Sequence, residues 1–344
     1  MPPLTRRTFA RYLAVGAASA RLTGGGRAFA AAPDKIAVGI LPLASHAPTF
    51  IAAGKGYFTE QGLDARLVSF EAAEPMAVAI AAHDVDFGVT AITGGLISLA
   101  DKDAVRVIGG ALQETPGVEG QKILASKKAH DAGLTAPAQL KGRSFGITTA
   151  GSSFQYMAHK IAQKEGFADA DIELRPLQKV PVLIAALKTG QIDAWSIVPN
   201  IADTLTRDAT AVEIGRIADY IANYQVTTVF TSAANAGGRR ELVTRFLAAY
   251  SKGVADYNAA FVDKTMGREA SAAIVAMIHD YVYSSLPLDK ADPMIRAGAM
   301  RINPNARLNL GSVKDQLDWF AAEHLVPPGV TLAKLVDSSF VATD

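Results

Sequence analysis

A pattern of strand, helix, strand, helix and strand occurs twice along this chain, and it limits the fold more than any other feature. The first copy covers residues 35–89 and the second covers residues 144–198. The strands are short apolar runs, and the helices begin at prolines or carry apolar residues three and four positions apart. Because strands that alternate with helices favour a parallel sheet covered by helices, we predict an α/β fold with two lobes of like topology.

The two copies share one register along the sequence. Matching residues stand 107 positions apart in three strands and one helix: Gly39 and Gly146, Asp64 and Asp171, Ala79 and Ala186, Asp86 and Asp193. A constant offset indicates either a duplication or the same packing solution reached twice. It also predicts that Ser45 and His46 correspond to Ser152 and Ser153. We interpret the pair Asp86 and Asp193 as structural residues.

The last third of the chain has helical patterns without strands of its own. Residues 240–261 and 312–325 carry apolar positions at helical spacing, so we expect these helices to pack on the first lobe. The chain would then cross between lobes near residues 117–120 and return near 226–232. The predicted domains are lobe I, residues 31–117 plus 233–344, and lobe II, residues 118–232. Two crossings form a hinge with a ligand cleft between the lobes.

The first thirty residues predict an export signal. Arg6 and Arg7 form a twin-arginine pattern, a weakly apolar run follows over residues 12–20, and Ala28-Phe29-Ala30 is a small-x-small cleavage site. We expect cleavage near Ala30 and a periplasmic location, with export by either the twin-arginine or the general route. A disordered basic tail is the alternative interpretation of these residues.

Composition excludes several classes of function. The chain has no cysteine, which excludes disulfides, thiolate nucleophiles and cysteine-ligated metals. Residues 1–30 hold five arginines and no acid, so the rest of the chain has 29 basic and 33 acidic residues, a formal charge of −4. A mildly acidic body is a poor electrostatic match for nucleic acid, which we exclude as a partner. The sequence has no run of about 18 apolar residues to span a bilayer.

Candidate binding residues follow the strands, because parallel α/β lobes hold ligands at the carboxyl ends of their strands. These residues are Ser45, His46, Thr90, Ala91, Gly151, Ser152 and Ser153. Gly151 lets backbone approach a ligand closely, and Ser152 with Gln155 forms a capping-box pattern. The helix start beside Ser153 offers free N–H groups to a carboxylate, sulfonate or similar anion. Plain helix capping without a ligand is an equally open interpretation.

Three ring-bearing residues allow two interpretations each. His46 is either a donor to the ligand or a histidine of a surface loop. Trp195 lies on or just past a strand, and Tyr224 lies near the return crossing. For both aromatic residues a core position is the first expectation, and stacking on a ligand at the mouth of the cleft is the alternative.

The sequence offers little support for catalysis. Its six histidines show no H-E-x-x-H or H-x₃₋₅-H spacing, and there is no nucleophile elbow, phosphate loop or dinucleotide fingerprint. We therefore predict a binding protein rather than an enzyme, with no cofactor and no metal.

Several segments resemble the solute-binding proteins of nitrate, sulfonate and taurine ABC importers, a family that includes thiamine-precursor binders. They are residues 52–64 (AAGKGYFTEQGLD), 85–89 (VDFGV), 140–143 (LKGR), 151–153 (GSS) and 187–194 (LKTGQIDA). The resemblance implies a type II periplasmic-binding-protein-like clamp, two mainly parallel lobes that close on a ligand and deliver it to a membrane permease. It implies ligand contacts from Ser45, His46, Thr90, Ala91, Ser152 and Ser153.

One departure bears on the ligand. Where the family usually has an acid or an aromatic-Glu-Pro sequence, this chain has Ser-Ile-Val-Pro-Asn at residues 196–200. This departure weakens the thiamine-precursor interpretation.

We accordingly predict a monomeric extracytoplasmic binding protein for a small organic anion, a sulfonate or carboxylate, with an aromatic acid possible because of His46, Phe154, Trp195 and Tyr224. Its partners would be an ABC permease and the ATPase of that permease. The alternatives are a binder of a pyrimidine-type thiamine precursor and, from another class, an enzyme on the same two-lobe scaffold. A transcriptional effector domain is disfavoured by the export signal and by the lack of a DNA-reading module.

Overall fold

The computed structural model describes residues 32–344, which form two five-stranded sheets flanked by helices. The predicted export signal, residues 1–30, lies outside the described residues. The strands are β1 (Asp34–Ile40), β2 (Leu63–Ser69), β3 (Phe87–Thr90), β4 (Val105–Gly110), β5 (Lys122–Ser126), β6 (Ser144–Ile147), β7 (Glu173–Pro176), β8 (Ala194–Ile197), β9 (Ala211–Arg216) and β10 (Thr228–Ser232).

Fourteen α-helices cover the sheets of the described chain. They are α1 (Ala47–Gly54), α2 (Tyr57–Glu60), α3 (Ala73–Ala81), α4 (Gly94–Asp101), α5 (Lys127–Asp131), α6 (Ser153–Glu165), α7 (Val180–Thr189), α8 (Pro199–Arg207), α9 (Ala233–Gly238), α10 (Arg240–Tyr257), α11 (Arg268–His279), α12 (Leu288–Ala297), α13 (Leu310–Ala322) and α14 (Leu332–Leu335). A π-helical turn, Asn258–Val262, continues α10.

The sheets repeat one strand order. The first sheet runs β2-β1-β3-β10-β4 and the second runs β7-β6-β8-β5-β9. In each sheet the three strands of the predicted repeat pair in parallel, but β10 and β5 lie antiparallel to both of their neighbours. The predicted two-lobe α/β fold is therefore confirmed, and its sheets are mixed. The antiparallel strands are the two that follow a crossing, because the chain then enters the sheet from the hinge side.

Each sheet with its helices forms one lobe: lobe I holds the first sheet and lobe II holds the second. The chain passes between the sheets over residues 111–121 and 217–227. Since β10 belongs to the first sheet, the return is complete before Thr228. The prediction that lobe I resumes at residue 233 is late by one strand.

The two crossing segments lie side by side. The amide of Glu114 donates to the carbonyl of Tyr224 at 2.9 Å, and Gln113 and Gln225 form an antiparallel bridge. The chain thus joins the lobes through two adjacent segments.

The offset of 107 residues is also visible in the packing. A carboxylate oxygen of Asp86 accepts a hydrogen bond from the amide of Ala37 at 2.8 Å, and Asp193 accepts one from Ser144 at the same distance. Both aspartates tie the start of a third strand to the first strand, which confirms their structural role. Asp193 also accepts a bond from the hydroxyl of Ser144.

Helices from the last third of the chain complete lobe I. Phe246 of α10 stacks on Phe87 of β3 with ring centroids 3.9 Å apart, and on Phe58 at 5.6 Å. Gly253 permits close contact of α10 with α1, because a Cβ there would stand 2.2 Å from the carbonyl oxygen of Pro48. The predicted packing on the first lobe is observed for α10. Helix α13 lies between the lobes, with Phe320 beside Gly94 of α4 and Trp319 against Tyr156 of α6. Within residues 32–344, no helix combines the length and apolar character needed to cross a membrane.

A buried candidate cleft between the lobes

The carboxyl ends of the parallel strands from both lobes face one internal cleft. Its cavity volume is about 70 Å³. A cavity of that size suits a small ligand. Eleven of the twenty lining residues are apolar, and none of the lining residues in the described chain carries a formal charge at neutral pH.

Six of the nine predicted binding residues line this cleft. They are Ser45, His46, Thr90, Ala91, Ser152 and Ser153. Ser45 and His46 form a short 3₁₀ turn before α1, whereas Ser152 and Ser153 begin α6. The structure therefore brings together the two polar loops that the offset of 107 residues relates.

The capping box predicted for Ser152 is wrong. Ser152 is the N-cap residue of α6, but its side chain makes no capping bond. Gln155 turns back instead to accept a hydrogen bond from the amide of Gly151 at 2.7 Å. The Ser152 hydroxyl oxygen is buried, lies in the wall of the cleft and has no hydrogen-bond partner. A buried hydroxyl without a partner carries a desolvation cost that a ligand acceptor would remove.

The start of α6 adds backbone donors next to this hydroxyl. The amides of Ser153 and Phe154 occupy the first two helical positions, where no carbonyl of the helix can accept from them. The helix is 13 residues long, so the partial positive charge at its N-terminus favours an anionic group.

His46 enters the cleft as a neutral donor. Burial lowers its pKa to about 3, so the ring carries no charge at physiological pH. Its Nδ1 accepts a hydrogen bond from the amide of Leu41 at 3.3 Å. The ring proton therefore lies on Nε2, which can donate but adds no cationic charge.

Gln121 was missed by the sequence analysis. It lies in the first crossing, lines the cleft, and its side-chain nitrogen is buried without a partner. Its backbone amide donates to Oε1 of Glu114 at 2.9 Å. No sequence pattern points to it, since crossing segments approach the cleft only after the lobes assemble. Thr148 and Thr227 line the cleft as well.

The other three predicted residues do not line the cleft. Gly151 packs against Gly94 of the other lobe, whose amide donates to the Gly151 carbonyl at 2.9 Å. Its positive φ of 72° serves that backbone contact. Trp195 and Tyr224 are fully buried in the core, as the first expectation for them stated, and neither reaches the cleft.

The lobes touch each other around the cleft. Lys179 of lobe II pairs with Glu71 of lobe I at the rim. Beside α6, Asp315 of α13 accepts hydrogen bonds from Tyr156 and, at 2.8 Å, pairs with Lys160. These contacts, together with the small free volume, describe a closed arrangement.

A family comparison agrees with this geometry. The family described as "NMT1/THI5 like" matches residues 44–260. The chain belongs to this family. No curated protein matches the chain in a sequence search.

Solved structures with the fold of this NMT1/THI5-like protein include several binding proteins. The alkanesulfonate-binding protein SsuA of Xanthomonas axonopodis pv. citri, bound to MOPS, has a TM-score of 0.70 at 20% identity, covering 90% of this chain and 100% of that one. The aliphatic sulphonate-binding protein SsuA of Escherichia coli gives 0.66 at 18%, with 89% and 92% covered. The nitrate-binding protein NrtA of Synechocystis PCC 6803 gives 0.60 at 11%, with 75% and 68% covered. The resemblance seen in the sequence is thereby confirmed.

Proposed function

We propose that this protein is the extracytoplasmic solute-binding component of an ABC importer and that it captures a small organic anion with an apolar body. The observation that carries the proposal is the Ser152 hydroxyl, buried in the cleft wall without a partner at the start of α6. The family and the binding proteins that share its fold support this role.

The polar half of the cleft suits a negative group held by neutral donors. Several neutral groups there can donate hydrogen bonds to a ligand: the hydroxyl of Ser152, the first amides of α6, the side-chain nitrogen of Gln121 and Nε2 of His46. Charge-assisted hydrogen bonds to an anion are stronger than those to a neutral acceptor. A cation would find no carboxylate among the described lining residues.

The apolar half suits a hydrocarbon or aromatic body. Leu41, Phe154, Ile197 and Val226 are among the apolar lining residues. Burying the body of a ligand against them supplies affinity that a bare inorganic ion such as nitrate would lack. Sulfonates and carboxylates with a short organic group are therefore the proposed ligands.

The mechanism is closure of the two lobes on the ligand. Residues from both lobes line the cleft, so a bound ligand favours the closed arrangement through its contacts with both. The permease and its ATPase then receive the closed complex at the membrane.

A thermal-shift screen of the purified protein against sulfonates, nitrate, aromatic and aliphatic carboxylates, and pyrimidines tests this function. A ligand at about 100 times its Kd stabilises the native state by about 2.7 kcal/mol. We expect stabilisation by one class of organic anion, with an affinity about tenfold or more lower in Ser152→Ala.

The screen also separates the alternatives. Stabilisation by pyrimidines alone would replace the anion by a thiamine precursor. Stabilisation by none of the compounds would contradict the proposal and favour the alternative, an enzyme on this scaffold. Equal affinity of Ser152→Ala and wild type would remove the α6 start from the site.

A further inference from the structure

A second cluster of ligating side chains lies on the outer surface, away from the cleft. It consists of His159 of α6, Asp169 in a 3₁₀ turn just after α6, and Glu323 at the end of α13. One potential ligand atom from each residue lies within 4.8 Å of the other two. The first two residues belong to lobe II, whereas Glu323 ends α13, which follows the return of the chain to the first sheet.

The packing of α6 against α13 holds the histidine in place. Nδ1 of His159 lies 2.7 Å from one carboxylate oxygen of Asp169 and 3.0 Å from the other. The imidazole also packs on Trp319, with ring centroids 5.5 Å apart. Trp319 stands one helical turn before Glu323, so the same face of α13 presents both residues to lobe II.

One imidazole and two carboxylates form a donor set that divalent transition metals accept. Zn²⁺ binds histidine nitrogen and carboxylate oxygen at about 2.0–2.2 Å, which places tetrahedral ligand atoms about 3.3–3.5 Å apart. The ligand atoms of this cluster lie at most 4.8 Å apart, and Nδ1 of His159 lies closer than that spacing to Asp169, at 2.7 Å. Shifts of about 1.5 Å or less would therefore give the tetrahedral spacing. Glu323 is exposed and can rotate. Three protein ligands would leave the fourth position to water.

We propose that His159, Asp169 and Glu323 form a binding site for a divalent transition-metal ion such as Zn²⁺, which bridges the two lobes in the closed arrangement. The sequence predicted no metal, because the three residues have no recognisable spacing. The ion requires Glu323 beside His159, so it favours the closed arrangement and, by reciprocity, strengthens ligand binding. This last consequence rests on the proposed function, whereas the site itself does not.

Calorimetric titration of the metal-stripped, untagged protein with ZnCl₂ and no organic ligand tests the site. We expect one equivalent to bind, at least tenfold more weakly in His159→Ala and in Glu323→Gln. His324→Gln removes an exposed histidine next to Glu323 but outside the cluster and should bind as wild type does. Glu323 is exposed, so its variant should fold normally.

Equal Zn²⁺ affinity in wild type, His159→Ala and Glu323→Gln would overturn the site and leave adventitious surface binding. X-ray scattering tests the bridge. Zn²⁺ should lower the radius of gyration of the unliganded protein but not that of Glu323→Gln. A radius unchanged by Zn²⁺ in wild type would overturn the bridging role. Both results are independent of whether the ligand screen succeeds.

Discussion

At the residue scale, two serines at helix starts behave differently. The Ser126 side chain accepts a hydrogen bond from the amide of Ala129 at 3.1 Å and caps α5. Ser152 stands at the equivalent point of α6 and caps nothing. The sequence predicted capping by Ser152, which does not occur because Gln155 turns instead to the amide of Gly151.

This difference predicts opposite effects of two serine-to-alanine changes. Ser126→Ala should lower the free energy of unfolding by about 1 kcal/mol, because a capping bond is lost. Ser152→Ala should leave stability unchanged or raise it, because a buried hydroxyl without a partner is removed. Urea unfolding of both variants measures this, and a loss of about 1 kcal/mol in Ser152→Ala would contradict our account of the site.

Glu114 in the first crossing predicts a pH dependence of stability. Burial, more than any neighbour, raises the pKa of this carboxyl from 4.5 to about 7. The folded state then holds a proton that the unfolded state releases above pH 4.5. The stability that this proton contributes is fully present below pH 4.5 and is lost as the pH rises to about 7. The loss is about 3 kcal/mol.

Glu114→Gln checks that dependence, because glutamine keeps the oxygen that accepts from the Gln121 amide and cannot ionise. Relative to wild type, the free energy of unfolding of the variant should increase as the pH rises from 4.5 to 7. Glu241→Gln, on the exposed face of α10, serves as the control. Parallel pH profiles for wild type and Glu114→Gln would contradict the assignment.

His46 makes the stability depend on pH in the opposite direction to Glu114. Burial lowers its pKa from 6.5 to about 3, so the unfolded state binds the extra proton as pH falls. The stability that the neutral ring contributes is present above pH 6.5 and is lost as the pH falls towards 3. Between pH 4.5 and 6.5 the effects of His46 and Glu114 offset each other, which is why the single variant is needed.

At the element scale, the sequence predicted most elements of the repeat to within a few residues. Apolar runs and helix-opening prolines identify β1, α1, β2 and α3 because these signals are local. The sequence predicted mainly parallel sheets but not which strands run antiparallel. Strand direction after a crossing depends on the path of the chain between lobes, which short-range patterns do not contain.

Both repeat aspartates should stabilise their lobes, and Asp193 at least as much as Asp86, because it also accepts from the Ser144 hydroxyl. Asp86→Ala and Asp193→Ala each leave a strand amide without its carboxylate partner, so each should lower the free energy of unfolding by about 2 kcal/mol. Asp84→Ala, at an exposed position two residues before Asp86, should have little effect. Urea unfolding compares the three, and an effect of Asp84→Ala as large as the others would contradict the shared role.

At the scale of the whole molecule, contacts between α6 and α13 join the lobes beside the cleft. Asp315 pairs with Tyr156 and Lys160 across this boundary, whereas Asp318 pairs with Lys314 inside α13 at 2.5 Å. The two aspartates are three residues apart on one helix, so they form a matched pair for testing closure.

Asp315→Ala should shift the protein towards an open arrangement, because two lobe II side chains lose their partner. We expect a larger radius of gyration without ligand and a ligand affinity several-fold lower, since fewer molecules are closed before binding. Asp318→Ala should match wild type in both. Scattering and calorimetry measure these effects, and identical results for the two variants would show that this contact does not control closure.

The sequence by itself determined the two α/β repeats, their common register and the strand ends that carry Ser45, His46, Thr90, Ala91, Ser152 and Ser153. These follow from local periodicity and from the rule that parallel strands end at one edge. Only the tertiary structure decided that Gln121 joins the cleft, that Gly151 meets Gly94, and that Trp195 and Tyr224 stay in the core. Each of these depends on segments far apart in the chain coming together in space, and no short-range pattern records such a meeting.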